Sequence, residues 1–164
     1  MNKEAIYKFL DEKNIEYEVT EHEAVYNMEE LDSVDLPYPE YDAKNVFVRD
    51  DKKQNYYLIT VKDDKRVDLK QFKEEFNTRK LSFVSPNDLD LILKLIPGSV
   101  SPLGLLNDEE CKVKFYLDKA FTTSPKKIIG IHPNDNTATV WLKVDDLLDI
   151  IKEHGNEVTI FTVK

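Results

Sequence analysis

The chain is short of several residue types, and each shortage closes off a class of protein. Of its 164 residues one is cysteine, four are glycine and one is tryptophan. A lone Cys111 has no partner for an internal disulfide and cannot supply a cysteine-rich zinc site. No run approaches the ~20 consecutive apolar residues that a membrane-spanning helix needs. The opening MNKEAIYKFLDEKN (1–14) sets acidic residues inside its apolar pattern, which a secretory leader does not do, so a cytoplasmic chain is expected. A basic balance is absent too. The net charge of −9 argues against a protein that coats nucleic acid non-specifically. Lys52-Lys53, Lys62, Lys65-Arg66, Lys70 and Lys126-Lys127 read either as local basic patches or as solvated surface lysines. There is no GxGxxG, Walker A, GxSxG or HExxH pattern, and no carboxylate pair stands out as an acid/base couple. His22-Glu23 lacks the second histidine of a zinc helix. His132 and His154 lie far from it in sequence, so neither a metal nor a cofactor is expected.

What is present suits one globular domain over 1–164. The composition is 41% hydrophobic and 34% charged, as in a packed, water-facing protein. Apolar residues at helical spacing predict helices over 3–13, 68–76 and 144–155. Asn2 caps the first, and Gly155 ends the last. Ser85 followed by Pro86 and Asp88 predicts a helix start, with Leu89, Ile92 and Leu93 on its apolar face. Asn27 with Glu30 three residues on predicts a short helix over 26–34. DLPYPEYD (35–42) reads as a loop.

Strands are predicted over 15–22, 44–50, 55–62, 111–118, 127–132, 138–143 and 158–164. The segment 44–62 forms a hairpin, and in 111–118 Cys111, Val113, Phe115 and Leu117 share a side. With roughly six or seven strands, about five helices and no steady βαβ alternation, the fold class is α+β: a mixed, largely antiparallel, curved central sheet with helices around it.

Three stretches have unusual texture. Lys44-Asn45 sits where a polar group feeds a buried strand. PGSVSPLG (97–104) holds two of the four glycines and two of the seven prolines. It is either a connecting loop or a stiff loop whose backbone faces a ligand. HPNDNTAT (132–139) suits a hairpin turn, with His132 at its edge as a packing residue or a ligand contact.

Five segments in order carry a resemblance: HEAVY (22–26), KNVFVRDDKKQNYYLITVK (44–62), LSFVS (81–85), PGSVSPLGLLND (97–108) and HPNDNTATVWL (132–142). The chain resembles the YbaK/ProX aminoacyl-tRNA deacylases, free-standing relatives of the editing domain of prolyl-tRNA synthetase, and is most similar to the branch that clears alanine from tRNA(Pro). Asn27 stands where that pattern has threonine. The resemblance implies a sheet closing around a small pocket and hydrolysis of the ester that joins alanine to the 3′-terminal adenosine of tRNA(Pro). Cysteinyl-tRNA(Pro) and a non-catalytic binding module remain alternatives. The resemblance makes Lys44 the essential lysine, with Gly98 and Pro102 as the catalytic loop. Asn45, Ser99, Val100, Ser101 and His132 become the substrate-binding wall. It implies the tRNA acceptor end and prolyl-tRNA synthetase as partners, and help from the free ribose hydroxyl of the substrate. Such a hydrolase needs no protein nucleophile, because an aminoacyl ester is already activated.

Overall fold

The computed structural model describes residues 1–24 and 35–163. The short helix expected over 26–34, with Asn27 and Glu30, lies outside the described residues.

The helix starts follow from side chains that satisfy otherwise unpaired N–H groups. Helix α1 (Lys3–Glu12) begins where Asn2 Oδ1 accepts from the Ala5 N–H at 2.9 Å, and it buries Ile6 and Leu10. Helix α2 (Leu69–Phe76) begins where the Asp68 carboxylate accepts from the N–H groups of Lys70 and Gln71. Helix α3 (Pro86–Leu93) is capped by the Ser85 hydroxyl, and Pro86 takes the first position, where no N–H is needed. The one-turn helix α4 (Ala120–Thr123) was not marked by any sequence signal. Helix α5 (Val144–His154) stops at Gly155, whose φ of 116° a residue with a Cβ rarely adopts.

Eight strands run through the described residues: β1 (Tyr17–Glu21), β2 (Ala43–Asp50), β3 (Tyr56–Lys62), β4 (Leu81–Phe83), β5 (Val113–Asp118), β6 (Ile128–Ile131), β7 (Ala138–Lys143) and β8 (Val158–Phe161). They form two sheets where the sequence suggested one. A three-stranded antiparallel sheet has the order β1-β7-β6, and a five-stranded sheet has the order β4-β2-β3-β5-β8. In the larger sheet β2 runs antiparallel to β3 and β4, while β5 runs parallel to β3 and β8. Among the described residues a single parallel bridge, Asp42 to Gly130, joins the two sheets.

The main core fills the space between both sheets, α1, α3 and α5, with Ile6, Leu10, Leu58, Leu93, Phe115, Val140 and Ile151 among its members. A second cluster lies on the other face of the larger sheet, under α2. There Phe72 meets Tyr116 at 4.8 Å and Phe161 at 5.9 Å, both edge-to-face. Burying Phe72 contributes ~2–3 kcal/mol, and each such ring pair ~1 kcal/mol more.

Cys111 departs from the expected strand. The strand begins at Val113, and Cys111 takes a left-handed φ of 52°, with its thiol donating to the His154 carbonyl at 3.4 Å. The His154 Nδ1–H donates to Asn156 Oδ1 at 2.7 Å, so this histidine ties the end of α5 to the loop beyond it.

Candidate active site

Strand periodicity decides which way the sequence-predicted residues face. On β2, Ala43 and Phe47 enter the main core, while Val46 and Val48 pack under α2. Side chains alternate along a strand, so Lys44 and Asn45 are neighbours in sequence but point to opposite faces. Asn45 stands opposite Thr60 on β3 and accepts its hydroxyl hydrogen bond at 2.6 Å. Thr60 is fully buried, so the Asn45 amide is held toward the core side.

Lys44 faces the other way, and the bridge between the sheets gives it company. Residues paired in a bridge project to the same side, so Asp42 and Gly130 share one. The strands run parallel there. Lys44 and His132 each lie two residues beyond the bridge in sequence, and strand alternation carried on from it directs both toward one side. On the smaller sheet this side also carries His22, Thr139 and Trp141. The His22 and His132 rings meet edge-on, 6.1 Å apart.

Two backbone carbonyls fix the tautomers. His132 Nδ1–H donates to the Ala138 carbonyl at 2.8 Å, and His22 Nδ1–H donates to the Glu23 carbonyl at 2.8 Å. In a neutral ring the other nitrogen is then an acceptor. His22 Nε2 accepts from the Thr139 hydroxyl at 3.0 Å. Burial pushes the His132 pKa below its ordinary 6.5, partly opposed by the Ala138 hydrogen bond. The ring is therefore neutral at pH 7 and presents Nε2 as an acceptor. Lys44 is half-buried and has no hydrogen-bond or ion-pair partner among the described residues.

The outer edge of β2 is interrupted at this point. Val48, Arg49 and Asp50 pair with β4, and Asp42 pairs with Gly130, but no described strand pairs with residues 44–46 on that edge. The Phe47 carbonyl, which accepts from the Val84 N–H at 3.1 Å, shows which residues face it. Two residues back, the N–H and C=O of Asn45 face the same edge. Asn45 thus turns its amide side chain to the core and its peptide groups to the gap.

The loop 97–104 is built largely from its own side chains. Gly98 adopts a φ of 93°, which excludes residues with a Cβ at little strain. Ser99 is buried, and its hydroxyl donates to the Ile96 carbonyl at 2.9 Å. Ser101 is buried too, and its Oγ accepts from the Leu103 N–H at 3.2 Å, starting a 3₁₀ turn over Pro102–Asn107. Pro102 is buried at the head of that turn, and half-buried Val100 packs against the main core. The serine hydroxyls therefore hold the loop in shape. The loop meets the turn after His132 through Asn134, whose Nδ2 donates to the Leu103 carbonyl at 3.4 Å. No hydrogen bond or ion pair among the described residues joins Lys44 to this loop.

The basic residues sort themselves differently from the sequence reading. Lys52-Lys53 occupy the far tip of the β2–β3 hairpin, about 20 Å from Lys44 at ~3.3 Å per residue, and Lys53 faces Asp88 at 3.6 Å. Lys65 pairs with the buried Asp118 at 3.1 Å, and Lys62 donates to Ser124 at 2.7 Å. These lysines serve the fold. Lys126 stands 5.5 Å over the Tyr38 ring, on the same side of the smaller sheet as His132. His22, Thr139 and Trp141 are the contributors that motif reading missed. Their signal was alternation, since Thr139 and Trp141 interleave with the core-facing Val140 and Leu142 on β7. Among the described residues no group of three or more His, Cys, Asp or Glu side chains is gathered as a metal site.

Comparison with known proteins matches this sequence to a family. The profile of the aminoacyl-tRNA editing domain matches residues 22–150, which include Lys44, the 97–104 loop and His132. Prolyl-tRNA editing protein ProX of Acetoanaerobium sticklandii is 41% identical over 154 residues, covering 94% of this chain and 93% of that protein. Prolyl-tRNA synthetase associated domain-containing protein 1 of Mus musculus is 32% identical over 152 residues, covering 89% of this chain and 87% of that protein. A crystal structure of a proposed trans-editing enzyme for prolyl tRNA synthetase shares the fold, with a TM-score of 0.63 at 17% identity, covering 90% of this chain and 87% of that one. The chain belongs to the aminoacyl-tRNA editing domain family.

Proposed function

We propose that this chain, as a single editing domain over 1–164, hydrolyses the aminoacyl ester of mischarged tRNA(Pro), with alanyl-tRNA(Pro) as the preferred substrate. The observation that supports the reading is the Asp42–Gly130 bridge, two residues beyond which the chain carries Lys44 on one sheet and His132 on the other, beside the interrupted edge of β2. In this reading the Lys44 ammonium, the neutral His132 acceptor and the Asn45 peptide groups, which no described strand pairs on that edge, serve one substrate. In the reaction a water oxygen adds to the ester carbonyl carbon. The carbonyl oxygen gains negative charge, and the carbon–oxygen bond to the ribose then breaks. One proton passes from the water to the departing ribose oxygen, which releases alanine and tRNA.

Each group has a role set by its chemistry. The Lys44 ammonium and the Asn45 N–H stabilise the developing oxyanion or a nearby phosphate oxygen. His132 Nε2 accepts from the attacking water and orients it. Gly98 lets the loop backbone approach the acyl group. Ser99, Ser101 and Pro102 fix that backbone, and Val100 adds an apolar wall. A wall of this kind answers a discrimination problem. A pocket shaped for proline rejects smaller alanine by only ~1–3 kcal/mol per missing methylene, so a second, smaller sieve is needed.

The partners in this reading are the tRNA acceptor end and prolyl-tRNA synthetase, and the compartment is the cytoplasm. No helix among the described residues is long and apolar enough to cross a membrane.

The test is to incubate the protein and its Lys44→Ala variant with alanyl-, cysteinyl- and prolyl-tRNA(Pro). The expected result is release of alanine by the wild type, retention of prolyl-tRNA, and a loss of at least ~100-fold in the variant, the scale of one oxyanion donor. Release of none of the three amino acids refutes the hydrolase reading. Equal rates for the variant refute the role of Lys44.

A further inference from the structure

Asn134 ties together three segments around the candidate site, and the reaction scheme above leaves it without a role. It lies in the turn between β6 and β7, two residues beyond His132. Its φ of 60° is left-handed, a conformation that asparagine accepts more readily than most residues with a Cβ. Its Nδ2 donates to two backbone carbonyls, that of Met1 at 3.1 Å and that of Leu103 at 3.4 Å. Two carbonyls at one end fix the amide's orientation, because a flipped amide sets oxygen against oxygen. Its Oδ1 then lies 3.8 Å from where a Cβ on Gly104 would stand, so the amide rests on the 3₁₀ turn. That oxygen is buried and has no hydrogen-bond partner among the described residues. A buried acceptor without a donor lowers stability, so packing alone does not account for an amide here.

We propose that Asn134 is a specificity-determining residue: its amide sets the gap between the His132 wall and the 97–104 loop, and with it the largest acyl group admitted. The assignment rests on the deacylase reading. Both ends of the span are stiff. On the His132 side, the ring donates to the Ala138 carbonyl across the turn at 2.8 Å. Asp135 Oδ1 accepts from the Thr137 N–H at 2.9 Å and from its hydroxyl, and the Thr137 carbonyl accepts from the His22 N–H at 2.9 Å. On the loop side, Leu103 is fully buried, and its N–H donates to Ser101 Oγ at 3.2 Å. The next N–H, of Gly104, donates to the Ser101 carbonyl at 2.9 Å. Holding the Leu103 carbonyl therefore holds Ser101 and Pro102 as well. With stiff parts on both sides, the length of one asparagine side chain decides how far apart they sit.

Removing the amide frees the Pro102 end of the loop to move away from His132. Alanine gains nothing from a wider gap, whereas the proline ring needs one. The loss therefore falls on discrimination between acyl groups more than on the rate for the smallest.

The experiment measures kcat/KM for alanyl- and prolyl-tRNA(Pro) with the wild type, Asn134→Gly and Asn134→Asp. Asn134→Gly keeps the left-handed backbone and removes the amide. Asn134→Asp keeps the shape, but a carboxylate has no N–H to donate to the two carbonyls. Both variants should lower the alanyl-to-prolyl ratio by about tenfold, the lower end of what one methylene is worth in a fitted pocket. A purely structural role lowers the active fraction and slows both substrates by one factor, leaving the ratio where it was. If Asn134→Gly fails to fold, Asn134→Asp decides. A ratio unchanged or raised in a folded variant overturns the role of Asn134, while alanine release by the wild type leaves the hydrolase reading standing. Release of no amino acid by the wild type overturns both.

Discussion

Replacing Gly130 with alanine should destabilise the protein well beyond what one added methyl group suggests. A Cβ at that position would stand 2.3, 2.6 and 2.9 Å from three carbons of the Trp141 ring. Carbon atoms rest at about 3.5–4.0 Å, so the ring or the strand must move by more than ~1 Å. The ring has little freedom to do so. Trp141 is 2% exposed, its N–H is bound to Thr20, and Tyr38 braces it from above. If the strands shift instead, overpacking costs ~1–3 kcal/mol. If the indole rotates out, the Thr20 hydrogen bond is lost as well, ~1 kcal/mol more. The expected total is ~2–4 kcal/mol, which lowers Tm by roughly 5–15 °C for a chain of this length. Thermal unfolding followed by circular dichroism measures it, and Trp141 emission shows whether the ring has left its seat. Gly104→Ala is the control: its Cβ would meet Leu95 Cδ1 at 2.6 Å, the far end of a flexible side chain that can give way. A Gly130→Ala protein that melts within ~2 °C of wild type, or no lower than Gly104→Ala, refutes the argument that Trp141 is immovable.

Three further outcomes follow from the site. Gly98→Ala should reduce deacylation more than it reduces stability. The strain at its φ of 93° costs ~1–3 kcal/mol in a half-exposed loop, while the displaced backbone spoils the approach to the ester; normal kcat/KM in this variant contradicts it. The lowered pKa of His132 makes its contribution to stability complete above histidine's ordinary 6.5; it falls away as the pH drops below 6.5 and is gone once the pH passes the folded value. Denaturation at a series of pH values should show this acid-side loss in the wild type and a flatter profile in His132→Gln; parallel profiles refute it. If the acceptor end is held through phosphate contacts, as proposed, cleavage of alanyl-tRNA(Pro) should fall steeply with added salt. A rate unchanged between low and high salt removes that steering.

Local chemistry made most of the fold legible. Asn2, Asp68 and Ser85 announce helix starts because each carries an oxygen that a helix N-terminus needs, and Gly155 announces an end. Strand pairing across long gaps in sequence was not legible. Nothing in KNVFVRD says that β2 keeps β3 from Ala43 to Arg49 and pairs with β4 only from Val48 on, or that the bridge to β6 falls just before it, at Asp42. LSF (81–83) is too short to show a period, and its pairing with β2 supplies what its length does not. Cys111 fitted the alternation of β5 but falls in a left-handed turn before it.

For the candidate site, resemblance nominated Lys44, the glycine–proline loop and His132. Only the geometry shows that the Asn45 amide is held by Thr60 on the core side, away from Lys44, and that the loop serines serve the loop. The tie from Asn134 to Leu103 was invisible in sequence because 31 residues separate the two.

The single bridge between the sheets has an evolutionary consequence. Each sheet closes its own hydrogen-bond ladder, so a substitution that tilts one sheet moves one wall of the site without unpairing any strand. Lys44 rides on one side of this joint and His132 on the other. The width available to an acyl group at the proposed site can therefore drift in small steps, one wall at a time, while Lys44 keeps its strand. A fold jointed in this way can be refitted to a larger or smaller misacylated residue by distant, individually mild mutations.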